Sequence, residues 1–244
     1  MNSYGLIGKN IDYSFSRGYF QKKFAKENLD CSYENFDIES IEEFPGILKQ
    51  RKDLKGLNVT IPYKEVIIPY LDKLDEKANK IGAVNTIKIS KKGKLTGYNT
   101  DAYGFKKSIE PLLRSQHQKA LILGTGGASK AIEYVLDKFK IPYVFVSRQS
   151  SNEEILTYDQ LTAEIIQSHH IIINCTPLGT FPNVDLCPDI PYNHLTSNHL
   201  LYDLVYNPSI TTFLNKGIEQ GAKVRNGLSM LELQAEKAWR IWNQ

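Results

Sequence analysis

Hydrophobic and polar positions follow two different rhythms along this chain. Tyr4 to Ile7 is a short apolar run closed by Gly8, which predicts a strand, and Tyr19, Phe20 and Phe24 recur at helical spacing between Gly18 and Asn28. Ser32 to Ile38 predicts a second strand, and Ile41 to Gln50 a helix with Pro45 near its first turn. Leu57 to Ile61 is β-branched and ended by Pro62, a third strand. Helical spacing returns over Lys64–Leu71 and Asp75–Ile81. A strand over Ala83–Ile89 follows, turned by Lys92-Gly93 into Lys94–Tyr98. This half therefore mixes helices with strands of both directions.

After Asn99-Thr100-Asp101 the chain alternates regularly. A helical segment, Tyr103–Leu113, precedes the strand Lys119–Leu123 and the helix Ala128–Phe139. Further strands are expected at Tyr143–Ser147, Ile171–Cys175, Leu200–Tyr206 and Ala222–Arg225, with a helix Ser209–Gln220 closed by Gly221 at its C′ position. Strands separated by crossover helices imply an open, doubly wound parallel sheet. The last helix, Leu228–Trp242, has no strand after it and is expected to return to the first half, with Trp239 and Trp242 as packing residues. The expected organisation is an N-terminal α/β domain with a mixed sheet over residues 1–100, joined by helix 228–244, and a second domain over residues 101–227.

The run Leu121-Ile122-Leu123-Gly124-Thr125-Gly126-Gly127-Ala128-Ser129 is a strand, a glycine turn and a helix start, the context that a dinucleotide fingerprint requires. Gly124 permits the tight turn, Gly126 lets the backbone approach a pyrophosphate, and the helix N-terminus offers N–H groups to the anion. Ser129 stands at the third glycine position. The next strand should end in the group that reads the adenosine ribose, and its tip is Ser147-Arg148. A carboxylate there would repel a 2′-phosphate, whereas arginine pairs with one, so the expected cofactor is NADP. Gln149, Ser150, Ser151 and Asn152 add no second basic residue.

Polar groups gather at strand ends of the first half: Ser14 and Ser16 in what reads as an extended turn, Asn58 to Lys64, Gly82 to Thr86, and Asn99 to Asp101. Singly these are turn and cap chemistry. Together they supply hydroxyls, amides, one lysine and one carboxylate, an inventory suited to a small polyhydroxylated substrate. The net charge of +3 is too small to imply nucleic acid, although residues 1–100 carry 17 basic against 13 acidic side chains. That excess favours a small anionic ligand or merely solvates a surface. Cys31, Cys175 and Cys187 lack any C-x-x-C spacing and suit a reducing, cytoplasmic setting. The start, MNSYGLIGKN, has no signal-peptide pattern, and no apolar run approaches the ~20 residues of a membrane helix. His169-His170 with Cys175 lacks ligand spacing, so no metal is expected.

The strings YGLIGKNIDYSFS, NVTIPYKE, GAVNT, GYNTDAYGF, GTGGASKA, NCTPLGT and GLSMLELQA run from residue 4 to residue 235 in the order found in shikimate dehydrogenases, and the chain resembles that family over nearly its whole length. The resemblance implies a Rossmann-like second domain and NADP-linked reduction of 3-dehydroshikimate to shikimate, in the route to chorismate and the aromatic amino acids. It implies that Ser14 and Ser16 bind the substrate carboxylate, that Thr60, Asn85 and Gln234 bond other substrate groups, and that Tyr206 lies beside the substrate. Lys64 and Asp101 are the implied catalytic pair, with Lys64 a general acid or an electrostatic stabiliser. Gly124, Thr125, Gly126, Gly127, Ala128, Ser129, Ser147, Arg148, Thr176, Leu204 and Gly227 are the implied cofactor contacts. Asn10, Tyr13 and Arg17 stand where the family usually has Pro, His and Pro, and Ser147-Arg148-Gln149 stands for Asn-Arg-Thr. A quinate/shikimate dehydrogenase with broader substrate or NAD use is the alternative enzyme, and a non-catalytic ligand sensor the alternative class. Partners are expected to be small molecules rather than nucleic acid or membrane, with the chain a monomer or homodimer.

Overall fold

The structure, a computed structural model, describes residues 2–12, 14–149 and 155–244. Tyr13 and residues 150–154, among them Ser150, Ser151 and Asn152, lie outside the described residues. The chain forms two compact units, Met1–Gly104 with Leu231–Gln244, and Phe105–Met230.

The first unit is built on a six-stranded mixed sheet. Its strands are β1 (Asn2–Gly8), β2 (Cys31–Asp37), β3 (Leu54–Val59), β4 (Lys73–Leu74), β5 (Thr86–Ile89) and β6 (Leu95–Tyr98), in the order β2-β1-β3-β5-β6-β4. β1 runs parallel to β2 and β3, while β5 is antiparallel to β3 and β6. Side chains alternate across the sheet, so successive residues of β1 feed different cores. Tyr4 and Leu6 join Phe20, Phe24, Tyr33, Ala235, Ala238 and Trp242, whereas Ile7 joins Phe44, Leu57, Val59, Ile67 and Ile87. Helix α1 (Phe15–Lys26) supplies Phe20 and Phe24, and α2 (Phe44–Gln50), with proline in its first turn, supplies Phe44. The small helix α3 (Glu76–Ile81) begins at the Asp75 cap and stops at Gly82, whose φ of 70° terminates it.

The second unit carries an all-parallel sheet. Its strands, β7 (Ala120–Leu123), β8 (Tyr143–Ser147), β9 (Ile155–Thr157), β10 (Ile171–Asn174), β11 (Leu200–Asp203) and β12 (Lys223–Arg225), take the order β12-β11-β10-β7-β8-β9. α4 (Asp101–Ile109) enters it, followed by α5 (Gly127–Phe139), α6 (Ala163–Ser168), α7 (Thr212–Glu219) and finally α8 (Leu228–Trp242), whose last turns belong to the first unit. β7 and β10 are buried along their whole length, as strands of a covered parallel sheet must be. The fold is thus the expected mixed-sheet α/β unit plus a Rossmann-like doubly wound unit, with the last helix returning to the first. Among the described residues no helix is long and apolar enough to cross a membrane.

Three expectations need correction, and three short elements were not foreseen. Lys64–Leu71 is not an α-helix but a run of turns ending in a single 3-10 turn, Ile68–Tyr70, because Pro69 cannot continue an α-helical hydrogen-bond ladder. Tyr103–Leu113 stays α-helical only to Ile109 and tightens to a 3-10 turn at Pro111. The short elements β4, β9 and α6 had no periodic signal of their own. Ser14 and Ser16 do not lie in an extended turn: Ser14 is the N-cap of α1, and Ser16 sits in that helix's first turn.

Candidate active site

Strand register assembles the polar residues of the first unit. Asn58 of β3 pairs with Thr86 of β5, and Thr86 with Tyr98 of β6. The residues just outside those pairs, Asn85 before β5 and Asn99-Thr100-Asp101 after β6, are therefore brought to one end of the sheet. Lys64 reaches the same end from the turn after β3, where its carbonyl accepts from Val84 N at 2.7 Å. Its ammonium donates to Asp101 Oδ2 at 2.7 Å, and Asn85 Nδ2 donates to Asp101 Oδ1 at 2.8 Å. The two charged side chains are 14% and 8% exposed, so this pair works in a poorly solvated setting where charge-assisted bonds are strong.

Asn85 is the hub. Its Oδ1 accepts from Thr100 N at 2.7 Å and from the Thr100 and Thr86 hydroxyls at 3.1 and 3.2 Å. Gln234, on α8, accepts from Asn85 Nδ2 at 3.4 Å and from Thr100 Oγ1 at 3.3 Å. Below them Asn58 Nδ2 donates to Asn85 O and to Thr86 Oγ1, both at 3.2 Å, while its Oδ1 accepts from Tyr33 OH at 2.8 Å. Burial pushes the Tyr33 phenol well above its usual range, opposed by a bond to Ser16, so this hydroxyl stays protonated and donates. The structure thus brings Lys64, Asn85, Asp101 and Gln234 together. Asn58, Thr86 and Thr100, which the sequence reading placed only among the strand-end clusters, and Tyr33, which it did not single out, hold them.

Ser14 and Ser16 lie at the start of α1, a twelve-residue helix, where first-turn N–H groups and the helix dipole favour an anion. Ser14 Oγ accepts a long bond, 3.5 Å, from Arg17 N, and Arg17 itself donates to Asp12 O. Thr60 follows β3, its N–H on Ile7 O.

In the second unit β7 ends at Gly124, whose φ of 100° is open to glycine and costly for other residues. The adjacent strands on either side are β8 and β10, so Gly124 stands where the winding direction of the sheet reverses, the usual ligand crevice of such folds. A Cβ on Gly124 would lie 3.0 Å from Thr176 Cγ2, which places Thr176 on the other wall. Gly126 is the N-cap of α5, exposed, and a Cβ there would meet nothing within 4 Å. That open space beside exposed Thr125, at a helix N-terminus, fits a pyrophosphate. Ser129 replaces the third glycine without penalty: its buried hydroxyl bonds Gly126 O at 2.7 Å. Arg148 is exposed at the end of β8, beside Ser147. Leu204 follows β11, and Gly227 packs directly on it, since a Cβ at 227 would fall 2.1 Å from Leu204 O. Tyr206 is half-buried, and burial pushes its phenol up.

Comparison with known proteins bears on the whole chain. Residues 6–87 match the family model described as the shikimate dehydrogenase substrate binding domain. A shikimate dehydrogenase (NADP(+)) of Methanosphaera stadtmanae is 38% identical, the match covering 98% of this chain and 90% of that protein. The chain belongs to the shikimate dehydrogenase family. Among solved structures, shikimate dehydrogenase 1 of Peptoclostridium difficile superposes with a TM-score of 0.85 at 36% identity, covering 100% of this chain and 92% of that one. The Thermus thermophilus shikimate 5-dehydrogenase, solved with NADP(H) and shikimate, gives a TM-score of 0.87 at 30% identity, covering 99% and 93%.

Proposed function

We propose that this protein catalyses the reversible NADP-linked reduction of 3-dehydroshikimate to shikimate. The observation that carries the reading is the buried 2.7 Å Lys64–Asp101 pair, tied through Asn85 to Gln234 in one polar cluster of the substrate-domain unit. Family membership supports the substrate, and the Gly124 turn with Arg148 supports NADP.

NADPH, when bound, supplies the hydride that reduces the ketone carbon. The protein's part is to hold the acid, place the ketone and stabilise its oxygen. Ser14 and Ser16, at the positive end of α1, take the substrate carboxylate. Thr60, Asn85 and Gln234 bond the ring hydroxyls, and Tyr206 lines the substrate. Lys64 has three N–H donors, one committed to Asp101. The others stabilise charge developing on the ketone oxygen, and a proton can pass from Nζ to that oxygen. Asp101 fixes the ammonium in place. Gly124–Ser129 and Thr176 take the pyrophosphate side of the cofactor, Ser147 and Arg148 the 2′-phosphate, and Leu204 and Gly227 the nicotinamide end. Cys31, Cys175 and Cys187 are free thiols, which suits a cytoplasmic enzyme.

The test is steady-state oxidation of shikimate and of quinate with NADP⁺ and with NAD⁺. The reading expects shikimate with NADP⁺ to give the highest kcat/KM of the four combinations. Preference for quinate or NAD⁺ would move the protein to the broader dehydrogenases of the same fold.

A further inference from the structure

The last residues of β10 and β11, Asn174 and Asp203, stand opposite each other in the sheet and are both fully buried. Their side chains meet, Asn174 Nδ2 donating to Asp203 Oδ1 at 3.0 Å. From this contact hydrogen bonds radiate into every loop at this end of the two strands. Asn174 Oδ1 accepts from Thr176 N at 3.0 Å and Thr176 Oγ1 at 2.6 Å. Leu204 N donates to Asn174 O, and Val205 N to Asp203 Oδ1, each at 3.0 Å. Asp203 Oδ2 accepts from Thr211 Oγ1 at 2.6 Å, and that hydroxyl also caps α7 through Leu214 N. Gly227 N in turn donates to Val205 O at 3.0 Å.

We propose that Asp203 is a positioning residue for the cofactor: by accepting from Val205 N, and by fixing the Asn174 amide that in turn holds Thr176, it sets the Thr176 loop, the Leu204–Val205 turn and Gly227 in register with one another. The inference rests on the assignment of Thr176, Leu204 and Gly227 as cofactor contacts. Asp203 touches none of the reacting atoms itself. A carboxylate is a costly residue to bury, and burial lifts its pKa to about 6. An apolar side chain would fill the site without that cost, but it would take the carboxylate acceptor from the Val205 N–H and leave the Asn174 amide only its long, 3.4 Å bond to Leu178 O, so that the loops are free to re-form.

Asparagine is the informative substitution. Its oxygen can accept from Val205 N and Asn174 Nδ2, and its NH₂ can donate to the Thr211 hydroxyl with that hydroxyl reversed. NADPH binding to the full-length enzyme is measured by cofactor fluorescence, alongside KM for NADP⁺ and for shikimate and amide exchange of the cofactor-free protein. Asp203→Ala is expected to raise Kd for NADPH roughly 10- to 100-fold, the effect of misplacing contact groups by about an ångström, with KM for shikimate essentially unchanged. Its Thr176 and Val205 amides exchange faster before any cofactor is added. Asp203→Asn restores Kd to near the wild-type value. Should Asp203→Ala fail to fold, Asp203→Asn and Thr211→Val carry the test, the latter removing one donor and raising Kd several-fold. Wild-type Kd in Asp203→Ala or Thr211→Val overturns the proposal, as does an Asp203→Asn protein as impaired as Asp203→Ala. A lowered melting temperature with Kd intact would make the residue merely structural. Wild-type enzyme that binds no NADPH would sink the cofactor assignment itself, and the proposal with it.

Discussion

Lys64 and Asp101 are coupled by construction, and the coupling can be weighed without substrate. Their 2.7 Å contact, between side chains 14% and 8% exposed, is worth roughly 4–6 kcal/mol of Coulomb attraction at an effective dielectric constant of 20. Desolvating two ions offsets most of that gain, so the intact pair adds little net stability. Removing one partner is different, because the survivor stays buried with its charge uncompensated, at a cost of about 3–5 kcal/mol. Among the described residues, Lys64→Met leaves Asp101 with the Asn85 amide alone, and Asp101→Asn leaves the ammonium facing an amide. Each single variant should therefore lose about 2–4 kcal/mol, and the double variant should lose about 2 kcal/mol less than their sum. Both tryptophans of the chain, Trp239 and Trp242, lie in the first unit, so urea unfolding followed by indole fluorescence reads that unit directly. With a urea slope of about 1–3 kcal/mol per molar, the single-variant shifts amount to about 0.7 M or more in midpoint. Losses that add to within about 0.5 kcal/mol would mean that the two charges do not meet, and the chemistry assigned to them would fall with the contact.

Other consequences follow from the second unit. Arg148→Ala should weaken NADPH by about 1.5–3 kcal/mol, the worth of a hydrogen bond to a charged group, while NADH binding stays put; equal losses for both would remove the 2′-phosphate contact. Gly227→Ala drives a methyl to 2.1 Å from Leu204 O and should cost about 1–3 kcal/mol of stability together with cofactor affinity, whereas a fully stable, fully binding variant would contradict the packing. Burial, reinforced by neighbouring cations, depresses the imidazoles of His117, His169 and His199 below their ordinary 6.5. The unfolded chain then takes up protons that the folded unit refuses, so stability present above pH 6.5 is lost as pH falls below it. Asp203, raised to about 6, acts oppositely between roughly pH 6 and 4, one group against three. Amide exchange in β7, β10 and β11, corrected for intrinsic rates, should show lower protection at pH 5.5 than at 7.5, and equal protection would refute the sign.

How far the sequence carried this reading depended on the kind of signal. Tyr143–Ser147 and Leu228–Trp242 were legible to the residue, because an uninterrupted apolar strand and a long amphipathic helix announce themselves by period. The Gly124 turn was legible because its glycines sit between such elements. Lys64–Leu71 misled because apolar spacing looked helical while Pro69 forbade the ladder. Ser14 and Ser16 needed the N-terminus of α1 to be placed, since a serine cap and a serine in an extended turn are alike in one dimension. Asn58, Thr86 and Thr100 were legible only as members of strand-end clusters, without roles of their own: a polar residue at a strand end has a turn or cap explanation until register stacks several such ends together. Asp203 escaped similarly, an acid ending an apolar strand whose burial only the sheet reveals.

The most direct measurement is the fall in absorbance at 340 nm when NADPH and 3-dehydroshikimate are given to wild-type enzyme and to Lys64→Ala. Wild type should consume NADPH, and the variant should turn over about 10²- to 10⁴-fold more slowly with KM little changed, as for loss of a general acid–base group. A variant with near-normal kcat would remove Lys64 from the chemistry, and a wild-type enzyme leaving NADPH untouched would contradict the account altogether.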